Sequence, residues 1–196
     1  MAAIEQLKVT AKGHVQVFDV TDTRILLEDT WNDIHPQNLA YTVARALAGA
    51  ANGEIYAMSL GSGGTHLDAA GNLVYLPANT QSESANLYQE TYNVKINSNL
   101  ADGTETPSGN SVVAKQSQPP EITSEVTCTL FLPAHIPAGQ AVNDATSTDP
   151  NAPYIFDELG LKTVEGRLLT HCIFSPIEKT ANRIFEIKYS LIISVS

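Results

Sequence analysis

The glycine-rich segment Gly61-Ser-Gly-Gly-Thr65, which follows a predicted buried strand, is the first place where the residue types could do chemistry. A phosphate-binding loop needs the pattern Gly-x-x-x-x-Gly-Lys-Ser/Thr before a helix, but no lysine follows here and the next segment is turn-like. The Gly-x-Ser-x-Gly elbow of hydrolases is also absent, because Ser62 lies directly between Gly61 and Gly63. We therefore interpret Gly61, Gly63 and Gly64 as turn glycines that supply positive φ where the chain leaves the sheet.

Carboxylates and histidines are the other candidates for acid–base or metal chemistry. Asp157 and Glu158 are adjacent, so in a strand their side chains would point to opposite faces and could not act on one substrate. The polar segment 143–151 carries acidic and amide side chains, but it lacks the spacing of a known calcium loop, which favours a solvated turn. The five histidines are dispersed without metal-ligand spacing, at His14, His35, His66, His135 and His171. The sequence thus predicts no catalytic residue, no metal site and no cofactor.

The composition is typical of one soluble domain: 196 residues, 43% hydrophobic and 16% charged. The net charge of −10 argues against a nucleic-acid groove, because phosphate binding needs clustered Lys and Arg and the eleven here are scattered. No apolar run approaches the roughly 18 residues that span a bilayer, and the first residues lack a signal-peptide pattern. We expect a protein of a cytosol-like compartment with no direct nucleic-acid or membrane partner.

Alternating apolar residues predict two long strands. The last strand starts near Arg183 and should lie within the body of a sheet, since a free hydrophobic edge of that length would invite aggregation. Its apolar face consists of Phe185, Ile187, Tyr189, Leu191, Ile193 and Val195. The strand over residues 122–132 has a core face made of Ile122, Val126, Cys128, Leu130 and Leu132. Cys128 and the second cysteine, Cys172, are interpreted as buried thiols that act as small hydrophobic side chains.

The region before the last strand predicts a hairpin used for packing and assembly. Gly160 and Gly166 are interpreted as its turn glycines, with Gly160 at positive φ. Glu158 sits among apolar residues and therefore needs a partner or a position in solvent. We hypothesise an ion pair between Glu158 and Lys179 that fixes the register of the last strand, with Arg167 as a competing partner. The alternative is two exposed side chains whose pairing contributes at most about 1 kcal/mol.

One helix is predicted, between Pro36 and Ala51. Pro36 suits the first helical position, and Gly53 suits the left-handed residue after a helix end. Apolar residues recur every fourth position among alanines, at Leu39, Val43 and Leu47. The resulting alanine-lined face would allow the helix to lie close against a sheet.

The polar stretch 97–120 is interpreted as a mobile surface loop or as an arm that orders against a partner. The strands on its two sides look too few to form separate cores, so residues 1–196 are expected to form one domain. The predicted fold is an all-β, antiparallel β-sandwich, jelly-roll-like, with one packed helix.

Several motifs, in their order along the chain, resemble virion structural proteins of tailed bacteriophages. They are Met58-Ser-Leu-Gly-Ser-Gly-Gly-Thr65, Ala85-Asn-Leu-Tyr-Gln-Glu90, Phe156-Asp-Glu-Leu-Gly-Leu161, Gly166-Arg-Leu-Leu-Thr-His171 and Ser175-Pro-Ile-Glu-Lys179. Proteins of that kind, in neck, collar, tail-fibre and capsid-accessory positions, tend to share such glycine turns and a C-terminal strand. The resemblance covers most of residues 36–196, and although each motif alone is common, their order carries it. It implies a symmetric, non-enzymatic building block.

The expected function is a structural subunit of a phage virion, at the neck, collar or tail. Such a subunit would be assembled in the host cytoplasm as a homo-oligomer and would contact other virion proteins. A capsid decoration protein would share this fold and composition. A carbohydrate-binding module for host attachment would instead need exposed aromatic residues on a concave face, for which the candidates are Trp31, Tyr75 and Tyr88.

Overall fold

The computed structural model describes residues 8–117, 122–138 and 155–195, so the predicted loop at 143–151 lies outside the described residues. Within these ranges the chain forms eleven strands and one helix. In chain order they are β1 (Val9–Asp19), β2 (Ile25–Ile34), α1 (Pro36–Leu47), β3 (Ile55–Gly61), β4 (Thr65–Leu67), β5 (Leu73–Tyr75), β6 (Glu90–Lys95), β7 (Ser111–Gln116), β8 (Thr123–Leu132), β9 (Ile155–Thr163), β10 (Thr170–Glu178) and β11 (Phe185–Val195).

Nine strands form one antiparallel sheet in the order β6-β3-β9-β10-β2-β1-β11-β8-β7, and β4 pairs separately with β5. The two halves of the large sheet are joined by a short pairing of β10 with β2. Side chains of β3, β9 and β10 from one half and of β1, β8 and β11 from the other share one apolar core. The predicted antiparallel β-sandwich with one helix is confirmed.

The last strand lies inside the sheet, as predicted. β11 pairs along its length with β1 on one side and with β8 on the other. Its side chains alternate between the core and the outer surface, and Phe185, Ile187, Tyr189 and Leu191 are buried. The C-terminal strand therefore leaves neither of its edges free to pair with another chain.

β8 confirms its predicted core face in part. Cys128, Leu130 and Leu132 are fully buried, but Ile122 precedes the strand and is 68% exposed. The prediction for Ile122 is therefore wrong, because the paired strand starts only at the next residue. Both cysteines are buried, and burial raises the pKa of the Cys128 thiol to about 12.

The predicted hairpin is present as β9 and β10. Gly166, in its turn, has φ of +79°, and its amide donates to the Thr163 carbonyl over 2.9 Å. Gly160 does not lie at positive φ, so that prediction is wrong. It lies inside β9, where a Cβ atom would come within 2.5 Å of Leu168 Cδ1 and 2.6 Å of the Thr170 carbonyl oxygen. Glycine is required there by close packing rather than by a turn conformation.

The helix begins at Pro36, as predicted, after a His35 N-cap whose Nδ1 accepts from the Asn38 amide over 3.2 Å. It ends at Leu47, four residues before the predicted end. The left-handed residues that follow are Gly49 and Asn52, with φ of +64° and +69°, and not Gly53 as predicted. In the described residues, no helix is long and apolar enough to cross a membrane.

The stretch 97–120 is not one long loop, because β7 occupies part of it and pairs with β8. The residues before β7 are tied down by the Lys95 ammonium, which donates to the carbonyls of Leu100 and Thr104, each over 2.8 Å. The same ammonium donates to the Asp102 carboxylate over 2.6 Å. Only residues 118–120 of the predicted loop lie outside the described residues.

Candidate functional site

Two adjacent carboxylates in β9 are fully buried, although buried carboxylates are rare unless they are paired. Asp157 accepts three hydrogen bonds from the start of β4. The Gly64 amide donates to it over 2.9 Å, the Thr65 amide over 2.8 Å and the Thr65 hydroxyl over 2.5 Å. This carboxylate therefore holds the glycine-rich loop where it enters β4.

Glu158 accepts four hydrogen bonds, one more than Asp157. Its Oε1 accepts from the amides of Gly63 over 3.1 Å and Gln89 over 2.7 Å. Its Oε2 accepts from the Tyr88 amide over 2.9 Å and from His171 Nε2 over 2.9 Å. The carboxylate thus joins two loops and β10 at one buried point.

His171 completes this buried cluster. Its Nδ1 accepts from the Asn79 amide over 2.8 Å, so the ring proton is assigned to Nε2, which donates to Glu158. Both ring nitrogens are engaged, and the imidazole is neutral in this arrangement. A neutral histidine between an amide donor and a carboxylate positions the carboxylate and leaves no ring nitrogen to act as a base on a substrate.

The two carboxylates differ in acidity. Burial raises the pKa of Asp157 above its usual value, and hydrogen bonds from Thr65 and Gly64 only partly oppose this effect. Burial acts in the same direction on Glu158, but hydrogen bonds from His171, Gln89 and Tyr88 outweigh it and hold the pKa of Glu158 below its usual value. The two carboxyl pKa values are therefore shifted in opposite directions, because Glu158 accepts more hydrogen bonds than Asp157.

The glycine-rich loop keeps its amides for these carboxylates. The amides of residues 63–65 point at Glu158 and Asp157, and two negative charges at that place would repel a phosphate. Gly61, Gly63 and Gly64 do not have positive φ, so that prediction is wrong.

These three glycines are needed because the backbone packs closely. A Cβ on Gly61 would strike the Gln89 carbonyl and the Glu158 carboxylate. On Gly63 it would lie 2.7 Å from the Gln89 nitrogen, and on Gly64 it would lie 2.9 Å from the Asp157 carbonyl oxygen.

The hypothesised pair of Glu158 and Lys179 is not formed. Antiparallel pairing places Ile173 opposite Glu158, and Lys179 lies six residues farther along the chain, about 20 Å at 3.3 Å per residue. The Lys179 ammonium is buried and donates to the carbonyls of Pro133 over 3.2 Å and Thr180 over 3.3 Å. Burial, reinforced by the nearby charge of Arg183, lowers the pKa of Lys179 to about 8.

Sequence reasoning identified Glu158 but missed Asp157 and His171 as its companions. It placed the two carboxylates on opposite faces of the strand, where they could not act on one substrate. In the structure they accept from consecutive amides of one loop. The available signal was a pair of carboxylates inside a run of apolar residues, which indicates a buried and fully bonded pair. No spacing rule points to His171, because it lies 13 residues from Glu158 on another strand.

The surface has an apolar groove of about 930 Å³ between α1 and the strands β1 and β2. Leu39, at its inner end, packs against the core, while Leu47 is 85% exposed. Among the described residues its only charged lining side chain is Lys12. The apolar lining consists of Val9, Ala11, Trp31, Ile34, Pro36, Leu39, Ala40, Val43, Ala44 and Leu47.

A smaller cleft of about 420 Å³ lies beside this groove, with Trp31 lining both. Trp31 and Tyr75 stand at its walls, and the buried His171 contributes to its lining. The third predicted aromatic candidate, Tyr88, is exposed but does not line the cleft, and its hydroxyl donates to the Pro77 carbonyl over 2.7 Å. The structure thus brings two of the three candidate aromatic residues to one concave site.

Comparison of the chain with known protein families, with curated proteins and with solved structures finds no match in any of the three. In the described part of the chain, no three His, Cys, Asp or Glu side chains form a group that could hold a metal ion.

Proposed function

We propose that this protein is a non-enzymatic structural subunit of a tailed-phage virion, placed at the neck, collar or tail, and that it assembles with copies of itself. The virion assignment is supported by the order of the glycine-containing sequence motifs and by the C-terminal strand that accompanies them. A β-sandwich whose buried charges hold its own loops agrees with a building-block role. The oligomeric part of the proposal is carried by the groove beside α1.

The groove leaves a large apolar surface uncovered. Leu47, Val43, Trp31 and Val9 line it together, and each is exposed. Contiguous apolar patches on protein surfaces commonly mark interaction sites, because removing them from water contributes roughly 25 cal/mol per Å². Two of the three residues in the apolar stripe of the helix, Val43 and Leu47, therefore face solvent, where a partner could cover them, and only Leu39 packs against the core.

The partner that we propose for this surface is a second copy of the chain. The patch has both protruding side chains, such as Leu47, and a lining of small residues that includes Ala40 and Ala44, so two copies related by a twofold axis can interdigitate. The chain carries a net charge of −10, which opposes self-association in general. No described carboxylate lines the groove, so the contact surface itself adds no negative charge to this repulsion.

Native mass spectrometry of the isolated protein tests the assembly. We expect a homo-oligomer for the wild type and a folded monomer for the double variant Val43→Glu with Leu47→Glu, because both side chains are exposed in the single chain. The melting temperature of the variant should fall only by the stabilisation that association gives the wild type. Val164→Glu, at an exposed position in the β9–β10 turn, is the matched control and should keep the wild-type mass. A monomeric wild type, or an oligomer that survives the double variant, would refute the role of this surface.

The place in the particle needs a separate experiment. Cryo-electron microscopy of intact particles from a phage that encodes this chain should show it in a ring or fibre of the neck or tail. Binding to preformed capsids at a fixed stoichiometry would instead identify a decoration protein. Absence of the chain from purified particles would contradict both assignments.

A further inference from the structure

We propose that the cleft between Trp31 and Tyr75 binds a neutral saccharide. Its volume of about 420 Å³ lies within the range of small-molecule sites, which is roughly 300–1,000 Å³. The two aromatic side chains are 59% and 49% exposed, although rings of this size usually bury most of their surface. The cleft thus presents two apolar ring systems to a ligand in a concave setting.

Contacts with neighbouring side chains hold both rings in place. The Trp31 indole stacks on His14 with 4.6 Å between ring centroids and 24° between planes, and His14 bonds in turn to the Asp29 carboxylate. The Tyr75 hydroxyl shares a hydrogen bond of 2.8 Å with Ser175 Oγ. A ligand that binds between these rings does not need to order them first, which lowers the entropic cost of binding.

The buried carboxylates do not line the cleft but hold residues that support its lining. Asp157 fixes Thr65, which pairs directly with Tyr75 across the β4–β5 hairpin. The Gly64 carbonyl accepts from the amide of Leu76, another lining residue, over 2.9 Å. His171 lines the cleft while Glu158 holds it. The buried cluster of Asp157, Glu158 and His171 therefore positions residues that line the cleft or pair with its lining.

The lining selects the chemical class of the ligand. None of its described side chains carries a charge, so neither a phosphate nor a carboxylate would find a counter-charge there. A pyranose ring has an apolar C–H face, which can lie on an aromatic ring, and hydroxyl groups along its edge. Tyr75 lines the cleft, and when Ser175 Oγ donates in the hydrogen bond that the two hydroxyls share, the Tyr75 O–H is left to donate to a sugar oxygen.

Intrinsic fluorescence gives a direct assay, because Trp31 is the only tryptophan of the chain. The probes are maltotriose, cellotriose, mannotriose and chitotriose, titrated into the isolated full chain, with trigalacturonate as the charged comparator. We expect a saturable change in Trp31 emission with at least one neutral sugar and a much weaker response to trigalacturonate. Because Trp31 also lines the groove beside α1, the titration is repeated on the double variant Val43→Glu with Leu47→Glu, which is expected to be monomeric. The measurement does not depend on the virion assignment.

Variants assign the binding to the cleft. Tyr75→Ala should weaken the affinity at least about tenfold, and Tyr75→Phe, which keeps the ring, should weaken it only a few-fold. Trp31→Ala should abolish saturation transfer from protein to sugar in NMR spectra. Tyr41→Ala, at an exposed tyrosine on α1 outside the cleft, should bind as the wild type does.

Three results would overturn the proposal. They are the absence of a saturable response to every neutral sugar in the panel, unchanged affinity in the folded Tyr75→Phe and Tyr75→Ala variants, and equal binding of trigalacturonate. Thermal melts of each variant establish that it is folded before its binding is compared. If Tyr75→Ala does not fold, the Tyr75→Phe variant and the wild-type panel still decide the question.

Discussion

Replacing Glu158 with glutamine tests whether the buried carboxylate holds the two loops to the hairpin. Each carboxylate oxygen accepts two hydrogen bonds, and the glutamine amide retains only one acceptor oxygen. Whichever way the amide is turned, its NH₂ group faces two N–H donors that have lost their acceptor. His171 cannot relieve this conflict by moving its proton, because the Asn79 amide already donates to Nδ1.

The size of the effect follows from these bonds. A hydrogen bond to a charged group contributes about 1.5–3 kcal/mol, so losing two of them should cost about 3–6 kcal/mol of unfolding free energy. This loss is comparable to the whole stability of many domains, about 5–15 kcal/mol. The exposed carboxylate Glu83, whose ion pair with Arg167 spans 3.9 Å, provides the control, and Glu83→Gln should cost less than about 1 kcal/mol.

Urea unfolding at neutral pH measures both variants. Acid titration supplies a second readout, because the pKa of Glu158 is held below its usual value in the folded state. A carboxyl group with a lowered pKa stabilises the fold above its unfolded pKa, and the stabilisation is lost as the pH falls through the folded value. Stability should therefore fall less steeply below about pH 4.5 in Glu158→Gln than in the wild type.

A loss of less than about 1 kcal/mol in Glu158→Gln would show that the carboxylate does not hold the loops to the hairpin. Similar losses in Glu158→Gln and Glu83→Gln would show the same. If Glu158→Gln shows the expected loss of stability but its stability falls with acid as steeply as that of the wild type, Glu158 is already protonated in the folded protein.

Three further substitutions test other parts of the structure. Gly160→Ala should cost about 1–3 kcal/mol in urea unfolding because its Cβ meets Leu168 and the Thr170 carbonyl, and a neutral result would disprove the close approach. Burial lowers the pKa of Lys179 from 10.5 to about 8, so as the pH rises the folded protein releases this proton before the unfolded chain does. The free energy of unfolding should therefore rise by up to about 3 kcal/mol between those pH values. Lys179→Met should lack this rise. Lys95→Met should speed hydrogen exchange in residues 97–110, whereas Lys115→Met, at an exposed position in β7, should leave it unchanged.

Local patterns in the sequence predicted the elements whose burial is regular. The alternation in β11 fixed which face enters the core, because successive side chains of a strand point to opposite faces. Pro36 marked the start of the helix for an equally local reason, its fixed φ and missing donor. The end of the helix was missed because Gly49 and Gly53 are both compatible with a helix end by residue type.

Long-range contacts determined what the sequence could not. The Asp157 bond to the Gly64 amide joins residues 93 positions apart, and no spacing rule connects them until β3 and β9 are paired. The pairing of β9 with β10 brings Leu168 and Thr170 close to Gly160 and separates Glu158 from Lys179, so the predicted glycine conformation and the predicted ion pair are both wrong.

The sequence by itself determined an antiparallel β-sandwich with one helix, a last strand inside the sheet and a hairpin before it, because side-chain alternation and turn residues act over a few neighbouring positions. The tertiary structure alone decided that Asp157, Glu158 and His171 form one buried cluster, that most of the apolar stripe of α1 faces solvent, and that Trp31 and Tyr75 share a cleft. These features depend on which strands become neighbours and in what register, and strand pairing joins residues that are distant along the chain.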